Sequence, residues 1–131
     1  MRLLLDTHIL LWWMSNDRRL TRPIRAAIQL PANDVAVSAV TFWEIAIKKS
    51  LGRIDVDLPE LIDAAAADGF EELPARGRHA AALDQLPPHH RDPFDRLLLA
   101  QAIVEQRHLV TRDASLLVYE GVSGLGLFSG A

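Results

Sequence analysis

The chain has 131 residues, half of them hydrophobic, and its 14 basic and 17 acidic side chains give a net charge of −3. This composition suits a single domain with its own core, and it argues against a disordered chain and against nucleic-acid binding by bulk positive charge. Cysteine is absent. Disulfides, thiolate metal sites and a cysteine nucleophile are therefore excluded, and any metal ion must bind oxygen or imidazole.

Short apolar runs alternate along the sequence with longer segments of helical character. In chain order we predict a strand at residues 3–5, helices at 9–14 and 21–30, a strand at 35–37, helices at 39–51 and 59–68, a strand at 70–73, helices at 77–86 and 93–107, a strand at 109–111, and a short helix and a last strand in the tail from residue 115. Strands that alternate with helices pair in parallel through right-handed crossovers. The sequence therefore predicts a three-layer α/β/α fold around a mainly parallel sheet of about four to five strands.

The apolar runs are too short to cross a membrane. The run at residues 9–14 is far below the roughly 20 residues that span a bilayer. Asp6 and His8 interrupt the N-terminal apolar segment, whereas a signal peptide needs a continuous one. We expect a cytoplasmic protein that forms one domain over residues 1–131 and has no membrane segment.

Two aspartates stand at the ends of predicted strands. Asp6 directly follows the first strand, and Asp113 follows the fourth by one residue. In open parallel sheets, ligands bind outside the carboxyl ends of the strands. Thr7 and Thr111 stand close to these acids, where a hydroxyl can orient a carboxylate or a water molecule on a metal ion. The sequence therefore predicts a ligand site at this edge of the sheet.

Glu44 lies in an otherwise apolar segment near the start of the third predicted helix. A charge there is costly unless it is compensated. One interpretation is a capping box with Thr41, three residues earlier. If Ser38 is the N-cap, Glu44 lies inside the helix, and a functional carboxylate is the better interpretation. The sequence leaves both open.

Asp92 and Asp95 stand at the start of the helix with the strongest sequence signal. Asp92 precedes Pro93, a pattern typical of an N-cap followed by proline at the first helical position, which favours a structural role. Asp95 aligns at helical spacing with Leu98 and Leu99 on the apolar face. Interaction with the helix dipole is the alternative for Asp95, but it explains an exposed acid better than a buried one. We therefore favour a functional role for Asp95.

Carboxylate oxygens of this kind suit Mg²⁺ or Mn²⁺, which usually bind together with substrate phosphates. Such an ion can generate a hydroxide nucleophile, neutralise phosphate oxygens and stabilise the leaving oxygen. Phosphodiester hydrolysis is the reaction class that uses all three effects.

Four acid-bearing segments carry a resemblance to a known family. They are LLDTH at residues 4–8, TFWEIA at 41–46, DPFDRLLLAQA at 92–102 and TRD at 111–113. Their order and spacing, over nearly the whole chain, resemble the PIN domain and are most similar to the VapC-type toxin ribonucleases of type II toxin–antitoxin systems.

The resemblance implies a Mg²⁺- or Mn²⁺-dependent endoribonuclease that is homodimeric and is inhibited by a small cognate antitoxin of the VapB type. It also implies roles for individual residues. The family's acidic quartet matches Asp6, Glu44, Asp95 and Asp113. Asp92 matches an additional aspartate, here a cap or supporting residue, and Thr111 matches the hydroxyl position beside the last acid, with Thr7 as a further support.

Arginines outnumber lysines, and several are candidates for contact with RNA phosphates or with an acidic antitoxin segment. They are Arg18, Arg19, Arg22, Arg25, Arg96 and Arg112. A solvated helix face is an equally good interpretation of the first four. We expect Trp12, Trp13, Phe42 and Trp43 in the core or an interface rather than stacked on bases. His79, His89 and His90 lack ligand spacing with the acids, so we expect them in loops or at the surface.

Two other functions stay open. One is a PIN-type nuclease that processes RNA outside a toxin–antitoxin system, and the other is a non-catalytic binding module whose acids are structural. A haloacid-dehalogenase-type phosphatase is excluded because the residue two positions after Asp6 is His8 rather than an acid. A phosphate-binding Gly-x-x-x-x-Gly-Lys loop is also absent from the sequence.

Overall fold

A computed structural model describes residues 1–130 of the protein. Within them, parallel strands form one sheet in the order β3-β2-β1-β4-β5. The strands are β1 (Arg2–Leu5), β2 (Asp34–Ser38), β3 (Glu71–Leu73), β4 (His108–Val110) and β5 (Gly126–Phe128). The parallel sheet flanked by helices confirms the predicted fold class.

Helices connect the strands and cover both faces of the sheet. They are α1 (Thr7–Ser15), α2 (Arg22–Gln29), α3 (Ala39–Ser50), α4 (Leu58–Ala67), α5 (Gly77–Ala81), α6 (Pro93–Glu105) and α7 (Ala114–Leu117). The helix predicted at residues 77–86 is divided, because α5 passes into a 3₁₀ turn at Ala82–Gln85. The helix predicted at 93–107 ends two residues early, because Gln106 adopts a left-handed conformation with φ of 53° and caps α6.

Alternating side chains of β1 build two separate apolar cores. Leu3 and Leu5 pack on one face against α1, α2 and α4, whereas Leu4 packs on the other against α6 and α7. All three leucines are fully buried. A strand buried on both faces explains why the sequence here is a continuous apolar run rather than an alternating one.

A buried arginine joins strands at the amino edge of the sheet. Arg107 is 3% exposed, and its guanidinium donates to the Leu3 carbonyl at 3.1 Å and to Asp34 Oδ1 at 3.1 Å. It also pairs with Glu71 Oε2 at 2.7 Å. These bonds tie β1, β2 and β3 together on the side opposite the predicted ligand site.

The carboxyl ends of β1, β2 and β4 lead into capped helices at one edge of the sheet. Asp6 caps α1, Ser38 caps α3 and Asp113 caps α7. A backbone hydrogen bond of 3.1 Å from the Asp6 amide to the Val110 carbonyl joins the ends of β1 and β4. The parallel topology therefore brings Asp6 and Asp113 to the same edge of the sheet. Among residues 1–130, every helix falls short of the combined length and apolar character that a membrane-spanning helix requires.

Candidate metal centre

Asp6 is a buried carboxylate at the junction of β1 and α1. The residue is 3% exposed, and its Oδ1 accepts a hydrogen bond of 2.8 Å from the Ile9 amide. Burial raises the pKa of Asp6 to about 6, while the Thr111 hydroxyl and the Ile9 amide favour the charged form and limit the rise. The Asp95 charge adds to the rise. A bound cation would stabilise the ionised form of such an acid.

Glu44 is also buried, with 4% of the residue exposed, and it lies inside α3 rather than at its cap. The Ser38 hydroxyl caps the helix by accepting from the Val40 amide at 3.0 Å. The Thr41 hydroxyl has no hydrogen-bond partner within residues 1–130, which excludes the capping-box interpretation.

Two partners orient the Glu44 carboxylate instead. The Thr7 hydroxyl donates to Oε1 at 2.6 Å, and Lys48, one helical turn further on, pairs with Oε2 at 2.7 Å. Because Thr7 directly follows Asp6 in the chain, this hydrogen bond ties the start of α1 to α3. Lys48 compensates the Glu44 charge, so this acid is buried with a cation beside it.

Asp92 and Asp95 lie in the first turn of α6. Asp92 Oδ1 accepts from the amides of Phe94 at 2.9 Å and Asp95 at 3.0 Å, as expected of an N-cap. Burial raises the pKa of Asp95, the hydrogen bond from His90 opposes the rise, and the charges of Asp92 and Glu44 add to it. The carboxylate of Asp95 therefore interacts electrostatically with those of Asp92 and Glu44.

Asp113 follows β4 and caps the short helix α7. Its Oδ1 accepts from the Ser115 amide at 2.9 Å and the Ser115 hydroxyl at 2.7 Å. Burial alone would raise the pKa of Asp113, but the Ser115 hydrogen bonds and the imidazoles of His8 and His90 outweigh it and lower the pKa. The buried Thr111 hydroxyl accepts from the Asp113 amide at 3.1 Å, which fixes the turn after β4.

Asp6 and Asp113 line an open cleft of about 210 Å³, together with His8, Trp12, Arg19 and Arg112. A second cleft of about 500 Å³ shares Trp12, Arg19 and His8 with the first and continues along α1 and α3. The Arg19 guanidinium lies 5.1 Å from the centre of the Trp12 ring and pairs with Asp17 at 2.7 Å.

The other candidate arginines lie elsewhere. Among the residues that line these two clefts within 1–130, Arg18, Arg22 and Arg25 are absent. Arg96 also differs from the expectation of an RNA contact, because its Nη1 donates to the Pro87 carbonyl at 3.1 Å and the Tyr119 hydroxyl at 3.1 Å. Arg96 therefore braces the loop before α6, and this geometry favours a structural role.

The histidine predictions are wrong in two respects. His79 is fully buried rather than at the surface, where it pairs with Glu105 at 2.8 Å and accepts from the Arg76 amide at 3.0 Å. His90 is in a loop as expected, but its Nε2 lies 2.9 Å from Asp95 Oδ2. The available signal was proximity in sequence, since His90 stands two residues before Asp92.

Of the aromatic residues predicted for the core or an interface, Trp12 and Trp43 lie closest in sequence to His8 and Glu44. Trp43 is 60% exposed, which contradicts a core position, and its ring packs edge-to-face on Phe94 with centroids 5.3 Å apart. Trp12 is partly buried and packs against the core on the α1 side of the sheet. Trp12 also lines both clefts, so it lies beside the candidate site.

The donor set fits a hard divalent cation. Such ions prefer carboxylate oxygens. Asp6 and Asp113 line one cleft at this edge, and the charges of Asp95 and Glu44 interact with neighbouring acids of the predicted quartet. The group whose ligand atoms lie within 4.8 Å of one another is His90, Asp92 and Asp95, which shares only Asp95 with that quartet. Burial is the main cause of the raised pKa values of Asp6 and Asp95, and neighbouring carboxylates add to both rises, so a bound cation would favour the ionised form of each acid. The molecule thus belongs to the class of parallel α/β proteins with a candidate divalent-cation site at the carboxyl edge of the sheet.

Comparison with known proteins narrows this class. The PIN domain family matches residues 3–121. Ribonuclease VapC22 of Mycobacterium tuberculosis is 33% identical over 119 residues, which cover 86% of this chain and 88% of that protein. The chain therefore belongs to the PIN domain family, as the resemblance predicted, and is a homologue of a VapC ribonuclease.

Solved structures share the fold at low sequence identity. VapBC2 from Rickettsia felis bound to a DNA fragment from their promoter gives a TM-score of 0.73 at 17% identity over 98% of both chains. VapBC-5 from Mycobacterium tuberculosis, a member of the VapBC family of toxin–antitoxin systems, gives 0.66 at 19% identity over 97% of both chains.

Proposed function

We propose that the protein is a Mg²⁺- or Mn²⁺-dependent endoribonuclease toxin that hydrolyses RNA phosphodiester bonds and is neutralised by a small VapB-like antitoxin. The observation that supports the proposal most directly is Asp6, buried beside an open cleft with its pKa raised to about 6 by burial. Kinship with a VapC ribonuclease supports the substrate class.

The four carboxylates Asp6, Glu44, Asp95 and Asp113 would hold the cation. When bound, the ion would neutralise phosphate charge and lower the pKa of water, so that a hydroxide nucleophile is available at neutral pH. Thr7 fixes the Glu44 carboxylate through its hydrogen bond of 2.6 Å, so that this acid cannot rotate away from the edge.

The two joined clefts would carry the RNA strand. Trp12 stands where they meet, and the Arg19 guanidinium lies 5.1 Å from the centre of its ring, so an aromatic and a cationic group border the RNA path together. Arg112 borders the acidic cleft, and Lys48 and Arg53 border the longer one. Phosphates can therefore meet cations on both sides of the acids despite the net charge of −3, because the acidity is local.

The proposed partners are a second copy of the chain and an antitoxin. The edge-to-face pair of Trp43 and Phe94 presents an exposed aromatic surface next to the acids, which suits a protein interface. The structural relatives named above were solved as VapBC proteins, which supports a VapB-like inhibitor for this chain.

The test is cleavage of labelled single-stranded RNA by the purified protein. We expect cleavage with Mg²⁺ or Mn²⁺, none with a chelator, and none with Asp6→Asn. Asp63→Asn, an exposed change on α4, is the matched control and should cleave like the original protein. The proposal would be contradicted if Asp6→Asn cleaved at the rate of the original protein, or if the original protein itself did not cleave RNA.

A second experiment distinguishes a toxin from a processing nuclease. Expression of the active protein should arrest growth, and the product of an adjacent small gene should relieve the arrest. Normal growth combined with metal-dependent cleavage in vitro would favour RNA processing. A folded Asp6→Asn protein that arrests growth as strongly as the original would favour a non-catalytic binding module.

A further inference from the structure

His90 lies in the loop that leads into α6, and neither the acidic quartet nor the clefts account for it. Its imidazole Nε2 is 2.9 Å from Asp95 Oδ2, with 24% of the His90 side chain and 18% of the Asp95 side chain exposed. The neighbouring His89 is exposed and packs on the Tyr119 ring with centroids 5.2 Å apart. Adjacent histidines therefore face different surroundings, and only His90 contacts an acid of the quartet.

The loop holds His90 firmly in place. Its backbone amide donates to the hydroxyl of Tyr119 at 2.9 Å, and Tyr119 is fully buried. Arg96 donates to the same hydroxyl at 3.1 Å and to the Pro87 carbonyl at 3.1 Å, which fastens the loop to α6. The buried tyrosine and the arginine therefore fix the backbone from which the His90 imidazole extends to Asp95.

The hydrogen-bond chemistry fixes the direction of the His90–Asp95 contact. An ionised carboxylate can only accept, so His90 Nε2 carries the hydrogen when Asp95 is charged. This bond uses Asp95 Oδ2, and Asp95 Oδ1 has no hydrogen-bond partner within residues 1–130. Asp92 Oδ1 accepts from two backbone amides, and in the part of the chain that the structure describes its Oδ2 has no hydrogen-bond partner.

We propose that His90 is a positioning residue, which holds Asp95 in the orientation that presents its free oxygen to the divalent cation. Groups that hydrogen-bond to a metal ligand typically change metal affinity by about 10- to 100-fold when they are removed. The inference rests on the proposed function only for the existence of the cation site.

Cation affinity tests the inference without RNA. We expect His90→Ala to weaken Mn²⁺ binding by about 10- to 100-fold in isothermal titration calorimetry. His90→Gln keeps an N–H donor near the position of Nε2 and should restore most of the affinity. His89→Ala is the control and should bind Mn²⁺ like the original protein. Thermal unfolding in a chelator checks that each variant is folded, and His90→Phe, which keeps a ring but has no N–H donor, replaces His90→Ala if that variant does not fold.

Three results would overturn the inference. Unchanged Mn²⁺ affinity in His90→Ala would show that Asp95 needs no support. Equal losses in His90→Gln and His90→Ala would show that the imidazole itself binds the ion. A loss as large in His89→Ala would show that the whole loop, rather than the His90 hydrogen bond, matters.

RNA cleavage adds a readout that a merely structural role would not move. The Mn²⁺ concentration for half-maximal cleavage should rise in His90→Ala by the same factor as the dissociation constant, while the rate at saturating Mn²⁺ recovers. A rate that stays low at saturation would contradict positioning. If the original protein binds Mn²⁺ but cleaves no RNA, the proposed function fails while the affinity series still decides the role of His90.

Discussion

Replacing Asp6 with asparagine should stabilise the metal-free protein at neutral pH. Burial of this carboxyl raises its pKa from 3.8 to about 6. At roughly 1.4 kcal/mol per pKa unit, a rise of about two units costs about 3 kcal/mol of folding free energy once the group is ionised. Asparagine can keep the cap on α1, since it serves at the N-cap as well as aspartate. The substitution therefore removes chiefly the buried charge.

The stability that Asp6→Asn gains over the original protein should increase as the pH rises. Below about pH 4 the carboxyl is protonated in both the folded and the unfolded chain, so Asp6→Asn gains little. Between 3.8 and about 6 the unfolded chain releases the proton while the folded chain retains it, and the original protein loses stability as the pH rises. Above that window the full cost applies, and the melting temperatures should differ by roughly 10 °C.

Urea unfolding, followed by tryptophan fluorescence in a chelator across this pH range, measures the effect. Asp63→Asn should follow the original protein, because this aspartate is exposed. Added Mn²⁺ should reduce the difference in stability between Asp6→Asn and the original protein. An ion that binds only the folded chain stabilises it, and the original protein keeps the Asp6 carboxylate that would bind the ion. A difference between Asp6→Asn and the original protein that does not vary with pH, or a less stable Asp6→Asn at neutral pH, would refute the reasoning.

Two further substitutions test the contacts around the site. Lys48→Met leaves the buried Glu44 carboxylate without its ion-pair partner, and we expect it to lower the free energy of unfolding by about 2 kcal/mol at neutral pH. Lys49→Met is the control. Because Lys49 is exposed, this variant should unfold like the original protein in the same urea titration. Tyr119→Phe removes the acceptor of the His90 amide and should cost about 1–2 kcal/mol. Hydrogen exchange at that amide should accelerate, and an unchanged rate would show that the hydroxyl does not anchor the loop.

Local sequence signals were sufficient for most of the architecture and for part of the site. The predicted strand at residues 3–5 and helix at 39–51 match β1 and α3 to within one residue at each end. Asp92 caps α6 as its position before Pro93 predicted. Asp6 and Asp113 meet at one edge because parallel strands share the edge at which their carboxyl ends lie. Each of these inferences depends on a short segment and on a general rule of topology.

Tertiary structure decided what the short segments left open. The role of Glu44 was undecided until the fold placed it 2.6 Å from Thr7, a residue 37 positions away. His79 and Arg107 are buried because distant acids pair with them. His90 faces Asp95 because Tyr119, 29 positions further on, anchors its amide. Sequence by itself specified which acids this protein carries and where strands and helices begin, since those signals are local. Burial and charge pairing arise between distant segments, so only the folded chain fixes them.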